Sequence, residues 1–158
     1  MTSERIDVLV LGLGNLLCSD DGAGVAVVQA LASSWGAPKG VRVVDGGTLG
    51  MDLIAIVAAS DRVIVVDAIA GDGPPGTLVR LAGEEVPRAV QTRLSAHQVG
   101  VADLLAGVAW LDEMPREVVI VGVVPASTDV GYGCTPAVAA SLPALVDAVI
   151  DEVARCRA

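Results

Sequence analysis

Short apolar runs alternate along the chain with longer segments in which apolar residues recur at helical spacing. The short runs stop near glycine, aspartate or proline, which is typical of buried strands. Five strands are predicted, at Val8–Leu11, Val41–Asp45, Val63–Val66, Thr77–Leu81 and Val118–Val124. Helices are predicted over residues 23–35, 51–59, 98–111 and 136–156, with Ser19, Asp20 or Asp21 as the N-cap of the first.

Strands that alternate with helices predict an α/β fold, a three-layer α/β/α sandwich around a mostly parallel five-stranded sheet. The compact turn signal at residues 72–76 indicates that strand 77–81 runs antiparallel at an edge. The chain has 158 residues without an internal repeat or linker, so we expect one domain over 1–158.

The composition indicates which residues form the core, which partners are disfavoured and in which compartment the protein is expected. Apolar residues make up 53% and aromatic residues 2%, so Val, Ala, Leu and Ile must fill the core. The net charge of −9 argues against nucleic acid or an anionic membrane as partner. Three cysteines without a CxxC spacing, no signal peptide and no apolar run of roughly 20 residues indicate a reduced, cytoplasmic protein.

Acidic residues follow two of the predicted strands. Asp20 and Asp21 lie in the loop after the first strand, and Asp67 ends the third. Ligands in such folds bind outside the carboxyl ends of the strands, where strand order reverses. A carboxylate at a buried strand end is costly unless it is paired, hydrogen-bonded or metal-bound, so Asp67 is either a cap for a neighbouring segment or a functional group.

His97 is the only histidine of the chain and precedes a predicted helix. If it faces Asp21 and Asp67, two carboxylates and one imidazole form an incomplete ligand set for a divalent transition metal. Such a set leaves positions open for substrate or water.

Other templates fit less well. The third glycine of a dinucleotide fingerprint falls at Leu17, and neither a GxSxG nor an HExxH motif occurs. Cys18 is a candidate nucleophile with His97, but a packed thiol is the simpler interpretation. Cys134 precedes a helix, where a thiolate could be stabilised, although no base accompanies it in the sequence.

Several short motifs occur together in a fixed order, and they carry a resemblance over essentially the whole chain. They are Gly12-Leu13-Gly14-Asn15, Asp20-Asp21-Gly22, Asp45-Gly46-Gly47-Thr48, Val65-Val66-Asp67-Ala68, Pro75-Gly76-Thr77, Ser95-Ala96-His97-Gln98 and Gly122-Val123-Val124-Pro125. In this combination the chain resembles the hydrogenase maturation proteases.

The resemblance implies a phosphorylase/hydrolase-like fold with a five-stranded mixed sheet and one antiparallel strand. It also implies an aspartic-type endopeptidase that activates a hydrogenase by removing the C-terminal extension of the nickel-loaded [NiFe] hydrogenase large-subunit precursor. Nickel, supplied by that substrate, is the recognition element, and another divalent cation can substitute for it. The residues carried over as catalytic and metal-binding are Asp21, Asp67 and His97.

Two positions depart from the family pattern. The first-loop acid is Glu in some members and Asp21 here, with Asp20 beside it as a candidate to share the role. Pro125 is followed by Ala126 where many members have Glu. The alternatives that remain are a nickel- or precursor-binding module without proteolysis and a small-molecule hydrolase on the same fold. The sequence leaves open whether nickel is catalytic or only recognised.

Overall fold

The computed structural model describes residues 4–47, 49–87 and 99–158. Within them, five strands form one sheet in the order β2-β1-β3-β5-β4. The strands are β1 Ile6–Leu13, β2 Val41–Gly47, β3 Ser60–Ala68, β4 Leu78–Ala82 and β5 Glu117–Val123. All neighbouring pairs are parallel except β4 and β5, so the mixed sheet and its antiparallel edge strand are confirmed.

Helices cover both faces of this sheet because alternate residues of β1, β3 and β5 are buried on opposite sides. The helices are α1 Ala23–Ser34, α2 Ile54–Ala58, α3 Val99–Trp110 and α4 Pro136–Arg157. On one face, Val8 and Ile64 pack in a core with residues of α1 and α4. On the other, Leu9 and Val63 pack with residues of α2 and α3. These layers confirm the predicted sandwich.

Strand order reverses between β1 and β3. The chain leaves β1 through α1 to reach β2 on one side, and then returns past β1 to β3 on the other. The loops that follow β1 and β3 therefore meet at the carboxyl end of the sheet. At this point α1 comes very close to the strands, because a Cβ atom on Gly24 would overlap the carbonyl oxygen of Val66.

Most element boundaries differ from the sequence prediction by one to three residues, but two differences are structural. The segment Ser19–Gly22 is a 3-10 turn, so the N-cap of α1 is Gly22 and not Ser19, Asp20 or Asp21. The predicted helix over 51–59 is divided into a 3-10 turn, Gly50–Leu53, and the short α2. In the part of the chain that the structure describes, no helix is long and apolar enough to cross a membrane.

Candidate functional site

Asp67 lies near the end of β3, where the apolar strand emerges from the core. Its Oδ1 atom accepts a hydrogen bond of 2.8 Å from the backbone N–H of Ala68. Burial raises the pKa of the Asp67 carboxyl well above its ordinary value, and the negative charge of Asp21 raises it further. The hydrogen bond from Ala68 acts in the opposite direction without cancelling these effects.

Asp21 approaches Asp67 from the 3-10 turn that follows β1. Its Oδ2 atom accepts a hydrogen bond of 2.9 Å from the backbone N–H of Asn15, which fixes the carboxylate against its own loop. The Asn15 side chain in turn accepts a hydrogen bond of 2.9 Å from the N–H of Leu17. The position of the Asp21 carboxylate is thus set by a backbone N–H of its own loop, six residues earlier in the chain.

Gly14 allows the two acids to come together. Its φ angle is +122°, a region that side-chain-bearing residues rarely adopt. A Cβ atom there would overlap the carbonyl oxygen of Asp21 and lie 3.6 Å from Oδ1 of Asp67. The structure therefore brings together Asp21 and Asp67, as the placement of their loops predicts.

Asp20 has a different environment from its neighbour. Its side chain is fully buried and accepts four hydrogen bonds, from the N–H groups of Ala126, Ser127 and Thr135 and from the Thr135 hydroxyl, at 2.7 to 3.2 Å. Burial alone raises the pKa of Asp20, but the hydrogen bonds from Thr135, Ala126 and Ser127 outweigh it and lower that pKa. Asp20 holds the 126–135 segment against the first loop and has a structural role.

A short backbone pairing also joins the 126–135 segment to the first loop, and together they form one wall of the site. The Gly131 N–H donates to the carbonyl oxygen of Leu17 at 2.9 Å, and the Ser19 N–H donates to the carbonyl oxygen of Gly131 at 2.8 Å. The Ser19 hydroxyl donates to the carbonyl oxygen of Asp129 at 2.8 Å. Asn15 and Thr135 support the site without having been predicted to do so, although Asn15 lies in the motif Gly12-Leu13-Gly14-Asn15.

Cys134, one of the two cysteines considered as nucleophiles, has no activated thiol. Burial raises the pKa of the Cys134 thiol, and the nearby charge of Asp20 raises it further. The thiolate stabilisation considered for a cysteine before a helix is therefore wrong at this position. Cys18 pairs its backbone with Gly131 at the edge of the site.

His97, the third predicted ligand, lies outside the described residues. The two described acids suit a dication by their chemistry. Oδ1 of Asp21 and Oδ2 of Asp67 accept no hydrogen bond from the described residues, and no described Lys or Arg forms an ion pair with either acid. Hard carboxylate oxygens with uncompensated charge are donors that a divalent cation can use.

Comparison with known proteins identifies the family to which the chain belongs. A sequence model of the HycI family, hydrogenase maturation protease, matches residues 25–152. The Hydrogenase 2 maturation protease of Escherichia coli K12 is 39% identical over 144 residues, which span 90% of this chain and 88% of that protein. The hydrogenase expression/formation protein HupM of Azotobacter chroococcum is 43% identical over 82% of this chain and 62% of its own length.

Solved structures agree with the sequence comparison. The hydrogenase maturating endopeptidase HybD of E. coli superposes with a TM-score of 0.87 and 37% identity, covering 94% of this chain and 93% of that one. The [NiFe] hydrogenase maturation protease HybD of Thermococcus kodakarensis has a TM-score of 0.74 and 32% identity, over 92% and 97% of the two chains. The chain therefore belongs to the hydrogenase maturation protease family of endopeptidases.

Proposed function

We propose that this protein removes the C-terminal extension from the nickel-loaded precursor of a [NiFe] hydrogenase large subunit. The observation that carries the proposal is the pair of acids Asp21 and Asp67, held together at the strand-order reversal without a described cation beside them. Family membership supports the peptide-bond chemistry. The relatives' names support the class of substrate.

In this proposal nickel belongs to the substrate, and the protein recognises it. The free carboxylate oxygens of Asp21 and Asp67, together with His97, bind the nickel centre of the precursor. Two negative charges that repel each other in the free enzyme then attract the same dication, which gives a large difference in binding between loaded and empty precursor. Another divalent cation of similar ligand preference is expected to substitute.

The first loop positions the substrate relative to these acids. Asn15 orients Asp21 through its backbone N–H, and Asp20 holds the 126–135 segment in place against the first loop. Nickel held by Asp21, Asp67 and His97 would supply Lewis-acid chemistry to peptide hydrolysis if it acts beyond recognition. The described residues offer a carboxylate pair for such chemistry, in keeping with an aspartic-type mechanism.

The experiment that tests this proposal is cleavage of the cognate precursor, measured by intact mass. Precursor with and without nickel is incubated with the wild type, with His97→Ala and with Asp151→Asn, a control at an exposed acid of α4. We expect the wild type and Asp151→Asn to release a C-terminal fragment from loaded precursor only. His97→Ala is expected to release none.

The other outcomes separate the alternatives. Equal cleavage of loaded and nickel-free precursor keeps the protease and rejects nickel as the recognition element. Nickel-dependent binding without cleavage indicates a binding module instead. The single domain over 1–158 and the cytoplasmic location stay predictions that this assay does not address.

A further inference from the structure

The described loops at the carboxyl end of the sheet carry acids but no Lys or Arg. Residues 14–22, 48–53, 69–77 and 124–135 contain no Lys or Arg. In addition to Asp21 and Asp67, this end carries the exposed acids Asp52, Asp72 and Asp129, and Asp45 near the end of β2. None of these acids forms an ion pair with a described residue.

The described basic residues lie elsewhere. They precede strands or occupy their first residues (Arg5, Lys39, Arg42, Arg62, Arg116), lie inside β4 (Arg80), or end α4 (Arg155, Arg157). Because α4 runs opposite to the parallel strands, its last turn also lies at the amino end of the sheet. Within the described residues, Lys and Arg are thus absent from the carboxyl end of the sheet, whereas acids such as Asp61 and Glu117 pair with arginines at its amino end.

The same acidic end exposes large apolar side chains. Leu17, Val130 and Tyr132 are 62%, 92% and 85% exposed. Their backbones are tied together, since the Gly131 N–H bonds to the Leu17 carbonyl and Gly131 separates Val130 from Tyr132. Asp21 follows Leu17 by four residues and Asp129 precedes Val130 directly, so apolar and acidic groups share one surface.

We infer that this surface, formed by Leu17, Val130 and Tyr132 with Asp52 and Asp129 around the site, binds the precursor segment next to the scissile bond. The segment that fits has apolar side chains flanked by Lys or Arg. This inference rests on the proposed function and extends it, because it states what the protease recognises in addition to nickel.

Charge complementarity identifies the occupant. A surface with unpaired acids and no described base attracts a basic segment and repels an acidic one. The exposed aromatic and aliphatic side chains provide area that becomes buried only when a partner covers it, as at the anchor positions of protein interfaces. The surface adjoins the loop that carries Asp21, because the Leu17 N–H bonds to the Asn15 side chain and the Asn15 N–H bonds to Asp21.

The test compares steady-state cleavage of loaded precursor by matched variants. Leu17→Ser combined with Tyr132→Ala removes the apolar part of the surface. Trp110→Ala removes an equally exposed aromatic residue, 88% exposed, at the other end of the sheet. We expect the double variant to raise KM about tenfold with kcat nearly unchanged, since anchor residues act through binding. Trp110→Ala is expected to match the wild type, and thermal unfolding verifies that all variants are folded.

A second measurement addresses the acids. Raising ionic strength from about 0.01 M to about 0.15 M shortens the Debye length from about 30 to 8 Å and is expected to raise the wild-type KM. Asp52→Asn combined with Asp129→Asn should raise KM at low salt and weaken this salt dependence, whereas Asp151→Asn should leave it unchanged.

The outcomes distinguish the two proposals. Cleavage by the wild type with an unchanged KM in the double apolar variant overturns the docking surface and leaves the proposed function intact. A salt-independent wild-type KM rejects the charged part of the surface. If the wild type does not cleave verified loaded precursor, the proposed function fails, and the docking inference falls with it.

Discussion

Two groups of carboxylates at opposite ends of the sheet show how differently this fold treats buried acids. Near the amino end, Glu152 of α4 is buried, and its carboxylate accepts hydrogen bonds from Nε and Nη2 of Arg80 at 2.8 and 3.0 Å. Arg155 bonds to the same carboxylate and also to Glu117. Hydrogen bonding from Arg80, followed by that from Arg155, lowers the pKa of Glu152 although burial opposes it.

At the carboxyl end, Asp67 receives one backbone N–H and lies near a second acid, and its pKa rises. Burial tends to raise the pKa of both Asp67 and Glu152, so burial alone does not decide the direction in which each pKa is shifted. The difference is the partner, because guanidinium groups compensate Glu152 and a like charge opposes Asp67.

Glu117, Glu152 and Cys156 are also close enough to suggest a metal site, but the arginines already occupy those carboxylates. Among the described residues, the absence of a basic partner, more than the proximity of ligands, distinguishes the proposed pair Asp21 and Asp67.

Asp67→Asn is expected to have the largest effect on activity. We expect cleavage of loaded precursor to fall by about 100-fold or more, as for the loss of a positioned acid–base group. The amide removes a buried charge and its repulsion with Asp21, so Tm should be equal to or higher than that of the wild type. Asp151→Asn is the control for both assays. A large loss of Tm in Asp67→Asn would mean that Asp67 is a structural cap.

Asp20→Ala is expected to give the largest loss of stability. The change leaves the buried N–H groups of Ala126, Ser127 and Thr135 without their acceptor. The free energy of unfolding should fall by about 3 kcal/mol, measured by urea denaturation against Asp151→Ala. Wild-type stability in Asp20→Ala would contradict the structural role assigned here and reopen a shared role with Asp21.

Glu152→Gln has a smaller expected effect, in the direction opposite to that of Asp67→Asn. Loss of the charge weakens the pairs with Arg80 and Arg155, but both arginines are nearly half exposed and screened by solvent. We expect a loss of about 1 kcal/mol in the free energy of unfolding with kcat/KM unchanged. A marked loss of cleavage would show that the two ends of the sheet are coupled.

The pH dependence of Tm provides the finest test. Asp67 has a raised pKa in the folded state, so its contribution to stability is complete below its ordinary value of 3.8 and is lost as pH rises through the folded pKa. Asp20 has a lowered pKa, so its contribution is complete above 3.8 and is lost as pH falls through the folded pKa. The Tm gain of Asp67→Asn over the wild type should therefore increase with pH. The Tm deficit of Asp20→Asn should shrink in acid, and identical trends for both variants would reject the assigned pKa directions.

The sequence was sufficient for the features that depend on local pattern. Apolar runs predict the five strands, and the acid that interrupts the run before Ala68 predicts a site at the end of β3. The proximity of Asp21 to Asp67 also follows, because topology rules place the loops after β1 and β3 together.

Features that depend on contacts between distant segments were not predictable in this way. Asp20 and Asp21 are adjacent and chemically identical, yet one supports the 126–135 segment and the other faces Asp67. The difference arises from the 3-10 turn, in which successive side chains point about 120° apart. A single sequence carries no local signal for the Gly131 pairing with Leu17 and Ser19.

The tie between Asp20 and the segment before α4 also has a consequence for biosynthesis. Its hydrogen bonds join residues 106 to 115 positions apart, so they can form only after residues 126–135 have been translated. A nascent chain that ends before Thr135 already carries Asp21 and Asp67 but lacks the wall that borders them. Late closure of such long-range contacts is characteristic of slow steps in folding. Proteolytic competence is therefore expected to arise only after residues 126–135 have left the ribosome and paired with Asp20.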